Sequence, residues 1–151
     1  PSVMGLLDRL GNDRVGFLVD GPNCFRDEFD VDLAELKRVA DGLGSVVVAR
    51  IYFDEHVSAG LLQAAEAHGF EAIVTSGDVD VRLAVDATEL AVAGTVDVLA
   101  IASRDMDFKP VLEAAGRHGL RTVAIAPGEH GRSGGLRATA DEAITIAEPD
   151  A

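Results

Sequence analysis

Short apolar runs alternate with amphipathic segments along most of the chain, and this alternation constrains its fold more than any other feature. Buried parallel strands read as near-continuous apolar runs, and helices between them favour right-handed crossovers onto one sheet. We therefore predict an α/β fold, a three-layer α/β/α sandwich with a mostly parallel sheet of five to six strands. The predicted strands cover residues 15–19, 45–53, 70–75, 96–102, 120–126 and 143–146, and the predicted helices cover 32–43, 56–68, 81–93 and 107–118.

Length and composition favour one soluble domain. A chain of 151 residues can bury a real core, and we expect a single domain over 1–151 with its core at about 14–146. The single cysteine, Cys24, excludes an internal disulfide and fits a reducing compartment. No apolar run approaches the roughly 20 residues of a membrane helix, and no signal-peptide pattern opens the chain. These features predict a cytoplasmic protein without a membrane partner.

The chain is strongly acidic, with a net charge of −13. Lys37 and Lys109 are its only lysines, so most of its positive charge comes from arginine. Such a surface opposes general electrostatic attraction to nucleic acid, because that attraction depends on Lys and Arg beside phosphates. Molar salt screens this repulsion within a few ångströms, so the charge does not exclude a nucleic-acid substrate in a high-salt cytoplasm.

Two of the predicted strands end at aspartates. The first strand stops on Asp20, and the fourth is followed by a segment that contains Asp105 and Asp107. Ligands of open α/β sheets bind outside the carboxyl ends of the strands, where the strand order reverses. If the order reverses between these two strands, the acids become neighbours and require a cation or protons. Oxygen-only ligands favour a hard cation such as Mg²⁺ or Mn²⁺.

Simpler structural roles account for part of this pattern. The glycine and proline after Asp20 indicate a tight turn, in which Asn23 either holds a water or phosphate oxygen or merely completes the turn. Ser103 or Asp105 is placed to cap the helix that follows. Capping needs only one of these groups, however, so it does not explain the whole acidic segment.

A third acidic segment opens the third predicted helix. Asp78 or Asp80 is placed to cap this helix, and Asp86 lies further along among apolar neighbours. A buried carboxylate needs a partner, here a metal, a water network or Arg82. Asp80 and Asp86 do not share a helical face, so one of them has a structural role, and the sequence does not decide which. Arg82 and Arg104 either hold a phosphate or neutralise neighbouring acids.

Taken together, these segments resemble the motifs of the NYN domain, a branch of the PIN-like ribonuclease superfamily, in its LabA-like group. The resemblance spans about 14–146, and a glycine-then-strand pattern over 119–125 also fits. Many relatives carry a lysine just before the central motif, where this chain has Ser76-Gly77-Asp78, and a glycine where it has Arg104. The matching motifs are Val19-Asp20-Gly21-Pro22-Asn23, Val79-Asp80-Val81-Arg82-Leu83-Ala84-Val85-Asp86 and Ser103-Arg104-Asp105-Met106-Asp107-Phe108.

The resemblance implies a PIN-like fold and a Mg²⁺- or Mn²⁺-dependent endoribonuclease that hydrolyses RNA phosphodiester bonds. One or two cations bridged by Asp20 and Asp105 would activate a water for in-line attack. The family's acidic positions correspond to the predicted catalytic residues Asp20, Asp80, Asp86, Asp105 and Asp107. The predicted metal ligands are Asp20, Asp86, Asp105 and Asp107, and the predicted substrate-binding residues are Asn23, Ser103, Arg82 and Arg104.

Two alternatives stay open from the sequence. One is a catalytically weak RNA- or protein-binding regulator on the same scaffold, which the acidic surface favours. The other is a different acid-clustered phosphotransfer enzyme. A Toprim-like site is disfavoured because its leading acid is a glutamate, and a dehalogenase-like phosphatase because Pro22 stands where its second aspartate belongs. RNA is the predicted partner, and a homodimer would add binding surface to so small a nuclease.

Overall fold

The computed structural model describes residues 13–26, 29–30, 32–128 and 138–146. The helices in these ranges are α1 (Gly21–Cys24), α2 (Leu33–Asp41), α3 (Ala59–Ala67), α4 (Val79–Ala93) and α5 (Lys109–Arg117), with a 3₁₀ turn at Met106–Phe108 before α5. The strands are β1 (Arg14–Asp20), β2 (Phe25–Arg26), β3 (Phe29–Asp30), β4 (Ser45–Asp54), β5 (Glu71–Thr75), β6 (Val98–Ala102), β7 (Arg121–Pro127) and β8 (Glu142–Ile146).

Six strands form one parallel sheet in the order β5-β4-β1-β6-β7-β8. From β1 the chain builds the sheet outward in one direction through β4 and β5, and then in the other direction through β6, β7 and β8. The strand order therefore reverses between β1 and β6, which is where open α/β sheets bind ligands. The predicted α/β fold with a parallel sheet is confirmed, and so is the condition that makes the two strand-end acids neighbours.

The two faces of the sheet carry separate apolar clusters. One contains Phe17 with Leu36 of α2 and Ala65 of α3, while the other contains Leu18 with Leu83 of α4. Successive side chains of a strand point to opposite faces, so neighbours on β1 enter different clusters. Because both faces of β1 and β6 are covered, residues 15–19 of β1 and the whole of β6 are apolar. The result is the predicted three-layer sandwich.

The helix ends follow local capping interactions. The predicted cap at Asp32 is confirmed, since its side chain accepts a hydrogen bond of 2.8 Å from the backbone amide of Ala34. Helix α2 ends at Asp41 rather than at Leu43. Gly44 adopts φ +151°, and a Cβ there would lie 2.4 Å from the carbonyl oxygen of Asp13. It is thus required by the close approach of two backbone segments.

Helices α3 and α4 begin at different residues from those predicted. Ser58 Oγ accepts from the amide of Leu61 at 3.1 Å, so α3 begins after Ser58 and not at His56. Helix α4 begins at Val79, which puts Asp80 in its first turn.

Two features between β1 and α2 were not predicted. The turn after Asp20 is the short helix α1, and β2 and β3 form an antiparallel ribbon. Elements of two to four residues are too short to show a hydrophobic period. The sequence also predicts a polar, glycine-rich loop over 128–135 and a short helix near Leu136, and residues 129–137 lie outside the described residues. Within the described ranges, no helix is long and apolar enough to cross a membrane.

Candidate active site

Asp20 is a buried carboxyl group at the end of β1, with only 2% of its surface exposed. The parallel register places Val19 beside Ala102, so the next residues of the two segments, Asp20 and Ser103, lie side by side. Ser103 Oγ donates to Asp20 Oδ2 at 2.9 Å, and Asn23 Nδ2 donates to the same oxygen at 2.5 Å. The turn after β1 and the end of β6 therefore fix the orientation of this carboxyl group together.

Burial raises the pKa of Asp20 above the usual aspartate range. Hydrogen bonds from Asn23 and Ser103 oppose this rise, and the nearby charge of Asp105 adds to it. Desolvation is the largest effect, because a carboxylate in a low-dielectric site loses its hydration. Asp20 therefore holds a proton more tightly than an exposed aspartate, and a cation bound beside it would favour the ionised form.

The segment after β6 is held by its own side chains. Ser103 Oγ accepts a hydrogen bond from the amide of Asp105 at 3.0 Å. Asp105 Oδ1 in turn accepts from the amide of Asp107 at 2.9 Å. These bonds stabilise the turn before α5, but neither side chain caps α5 itself, because its N-cap is Phe108 without a side-chain cap bond. The short, hydrogen-bonded turn fixes the positions of Asp105 Oδ2 and of the exposed Asp107 carboxylate.

Three carboxylates from two elements converge at this edge of the sheet. Asp80 lies in the first turn of α4, and Asp105 and Asp107 follow β6. One ligand oxygen of each lies within 4.8 Å of those of the other two. The structure thus brings together three of the five predicted catalytic residues.

Asp20 and Asp105 also line one open pocket of about 240 Å³. Asp54, which the sequence analysis missed, lies on its wall at the end of β4, and Asp54 Oδ1 accepts from the amide of His56 at 2.9 Å. The signal was present, since Asp54 follows the second predicted strand as Asp20 follows the first. The complete lining is Asp20, Pro22, Asn23, Asp54, Gly77, Asp78, Val79, Asp80 and Asp105.

The donor set of this pocket fits a hard divalent cation. Every candidate ligand is a carboxylate oxygen, the donor that Mg²⁺ and Mn²⁺ prefer. With metal–oxygen bonds of about 2.1 Å, two ligands on opposite sides of Mg²⁺ lie about 4.2 Å apart, which is compatible with the separations within 4.8 Å among Asp80, Asp105 and Asp107. None of the residues that line the pocket, all of them in the described part of the chain, is a lysine or an arginine. Cations or protons must balance its charge.

Asp86 occupies a different environment from the one predicted for a metal ligand. Its carboxylate accepts a hydrogen bond of 2.7 Å from the hydroxyl of Tyr52 and bonds of 3.3 Å from Arg82 Nε. Arg50 Nη1 lies 3.8 Å away. Asp86 is not among the residues that line the acidic pocket. The geometry brings Asp80 rather than Asp86 to the acids after β6, and metal ligation by Asp86 stays a prediction.

The predicted substrate-binding arginines both contact the protein itself. Arg82 pairs with Asp86, and Arg104 Nη2 donates to the carbonyl oxygen of Asn23 at 3.1 Å. Arg104 thereby braces the turn that carries Asn23. Arg82 therefore has the predicted alternative role of neutralising a neighbouring acid, whereas Arg104 contacts a backbone carbonyl, and a contact of either arginine with substrate stays a prediction.

Cys24 behaves as a packing residue. It is fully buried, and its Sγ lies 3.6 Å from the carbonyl oxygen of Ala102. Burial raises the pKa of its thiol, which keeps the sulfur protonated and unreactive.

Two known proteins are similar to this chain, one in sequence and one in fold. The chain is 39% identical over 140 residues to the uncharacterized protein MJ0482 of Methanocaldococcus jannaschii, and the match covers 93% of this chain and 58% of that protein. The chain therefore spans little more than half the length of this relative. The crystal structure of VPA0982, a protein of unknown function from Vibrio parahaemolyticus, has a TM-score of 0.77 and 23% identity, over 89% of this chain and 93% of that one. That likeness shows the fold alone.

A family model covers almost all of the described chain. The NYN domain model matches residues 14–147, which include β1 through β8 and the whole acidic pocket. The strand-end motifs around Asp20 and Asp105 lie inside the match. The chain belongs to the NYN domain family, whose members have a PIN-like, nuclease-type fold.

Proposed function

We propose that this domain is a metal-dependent ribonuclease that hydrolyses RNA phosphodiester bonds. The observation that carries the proposal is the convergence of Asp80, Asp105 and Asp107 within 4.8 Å at the strand-order reversal of an NYN domain. Carboxylates arranged in this way repel one another unless a cation neutralises them, and their oxygen ligands suit Mg²⁺ or Mn²⁺. RNA is the proposed substrate because the NYN family is nuclease-like.

The residues of the pocket have distinct proposed roles. Asp80, Asp105 and Asp107 would hold the cation, which when bound polarises a phosphodiester and lowers the pKa of a water. Asp20 either completes the ligand set or receives the proton of the attacking water, and its raised pKa suits the second role. Ser103 and Asn23 keep the Asp20 carboxyl group in one orientation through their hydrogen bonds.

A second candidate is a catalytically weak RNA- or protein-binding module. Asp54 and Asp78 add two further carboxylates to the pocket wall, and no lysine or arginine lines it within the described residues. Excess negative charge beside the site disfavours the approach of RNA phosphates. The ribonuclease proposal therefore requires that bound cations supply the attraction that basic side chains supply elsewhere.

Cleavage of a labelled single-stranded RNA in Mg²⁺ or Mn²⁺ tests the proposal. We expect cleavage by the wild type that EDTA abolishes, and a loss of about 100-fold or more in Asp80→Asn and Asp105→Asn. Asp41→Asn, which removes an exposed carboxylate at the end of α2, is the matched control and should cleave normally. Metal-dependent binding of RNA without cleavage would support the binding module. Cleavage of small phosphate esters alone would favour another phosphotransfer enzyme.

A further inference from the structure

The outer face of α4 carries an exposed apolar stripe, which we define as Val81, Val85, Thr88 and Val92. Its three valines are 59%, 48% and 62% exposed, although the opposite face of the same helix is buried. The stripe borders an open apolar depression of about 430 Å³. Exposed valines clustered on one helix face are typical of a surface that binds another protein surface.

The spacing of the stripe is that of a coiled-coil seam. Its residues follow one another at intervals of four, three and four, which correspond to heptad positions d, a, d and a. The one polar member, Thr88, already donates its hydroxyl hydrogen to the carbonyl oxygen of Ala84 at 2.8 Å. Covering Thr88 therefore leaves its donor satisfied, so the whole stripe can be buried against another helix.

The charges beside the stripe favour a second copy of α4 as the partner helix. Arg82 and Glu89 both take heptad position e, seven residues apart on one flank of the stripe, and position g is alanine at Ala84 and Ala91. In a two-fold antiparallel pair of α4 helices, the e flanks of the two copies face each other. Arg82 of each copy then lies beside Glu89 of the other, which gives two opposite-charge pairs. A parallel pair would place these charges beside alanines instead.

We propose that this chain forms a homodimer through antiparallel packing of α4 against α4 of a second copy. The contact is isologous, since one self-complementary surface serves both subunits. Helix α4 has 15 residues, so it is about 22 Å long. A contact along one helix of this length is small, so we expect a weak dimer whose population depends on protein concentration. The inference does not depend on nuclease activity.

Sedimentation of the full chain from micromolar to submillimolar concentration tests the dimer. We expect a monomer–dimer equilibrium that Val85→Lys weakens about 10-fold or more, since it buries a charge in the seam. The control is Val47→Lys, because Val47 is a 52% exposed valine on β4 outside the stripe. A wild type that stays monomeric at every concentration would overturn the proposal, and so would a dimer that both lysine variants weaken equally.

A charge exchange tests the orientation. Arg82→Glu and Glu89→Arg should each self-associate more weakly than the wild type, because each creates two like-charge pairs. Mixed together, the two variants should form a heterodimer about 10-fold more tightly than either forms a homodimer. Recovery in the mixture also shows that both variants fold. Equal association of mixed and separate variants would rule out the antiparallel arrangement.

Discussion

Ser103 Oγ lies 2.9 Å from Asp20 Oδ2 and joins the ends of two neighbouring parallel strands by a buried hydrogen bond. The same Ser103 oxygen accepts from the amide of Asp105, so one hydroxyl orients acids from both β1 and β6. The site depends on this serine for its shape as well as on its carboxylates for its charge.

Removing this hydroxyl should weaken both the fold and the pocket. Ser103→Ala removes one of the two side-chain hydrogen bonds to the buried Asp20 Oδ2 and takes the Ser103 acceptor from the amide of Asp105, which should cost about 1–3 kcal/mol in the free energy of unfolding. The pKa of Asp20 should rise further, because the Ser103 hydrogen bond lowers it. Urea denaturation gives the first quantity and carboxyl NMR titration the second. Ser76→Ala, at an exposed position after β5, is the control, and equal effects of the two variants would contradict this role.

In the metal-free protein, ionisation of Asp20 should lower the free energy of unfolding as the pH rises toward neutral. The folded-state pKa of Asp20 is raised above the reference value of 3.8, mainly by burial. The folded state therefore binds this proton more tightly than the unfolded state does. The favourable contribution is fully present below the unfolded pKa and is lost as pH rises through the folded pKa.

Asp20→Asn cannot ionise, so it should escape this loss. In EDTA, the unfolding free energy of the variant minus that of the wild type should increase from acid to neutral pH and then become constant. Urea denaturation at a series of pH values measures this difference. A difference that does not change with pH would show that Asp20 titrates alike in the folded and unfolded states.

Alanine should destabilise the protein at Gly21, whereas at Gly60 in α3 it should stabilise it. A Cβ at Gly21 would lie 2.4 Å from the carbonyl oxygen of Tyr52 and 2.7 Å from Phe53 Cδ1. Gly21→Ala should therefore cost about 3 kcal/mol, at the upper end of overpacking. A Cβ added at Gly60, in α3, would meet no atom within 4 Å beyond its chain neighbours and the backbone of its own helix, so Gly60→Ala should stabilise by about 0.5–1 kcal/mol. Thermal unfolding compares the two, and a harmless Gly21→Ala would contradict the close contact.

Asp80 and Asp86 should separate metal binding from stability. Asp86→Asn weakens the bonds from Tyr52 and Arg82 and should cost about 1–3 kcal/mol, with little change in Mn²⁺ affinity. Asp80→Asn should instead weaken Mn²⁺ binding and change the free energy of unfolding little, since Asp80 is half-buried and belongs to the acidic cluster. Urea denaturation and Mn²⁺ titration of both variants decide the matter. Loss of Mn²⁺ binding in Asp86→Asn would restore the ligand set expected from sequence.

The architecture was predictable because the relevant signals are local. Strands covered on both faces are apolar throughout, and the intervening helices dictate parallel crossovers. The aspartates at the ends of β1 and β6 were visible for the same reason. Their proximity required the strand order, which comes from the packing of the whole sheet.

The rest of the site depended on side-chain direction. Both Asp80 and Asp86 lie on α4, and the sequence could not tell which one faces the acids after β6. The choice comes from the point where α4 begins and from Tyr52, which approaches Asp86 from β4. Asp54 was overlooked because the fact that β4 neighbours β1 follows only from the sheet order.

Calorimetric titration with Mn²⁺ of the wild type, Asp105→Asn and Asp41→Asn tests whether the acidic pocket is a metal centre. Asp105 belongs to the acidic cluster and lines the pocket, whereas Asp41 ends α2. We predict millimolar or tighter binding by the wild type and Asp41→Asn, and its loss in Asp105→Asn. Absence of binding by the wild type, or equal binding by all three proteins, would contradict a metal centre at this pocket.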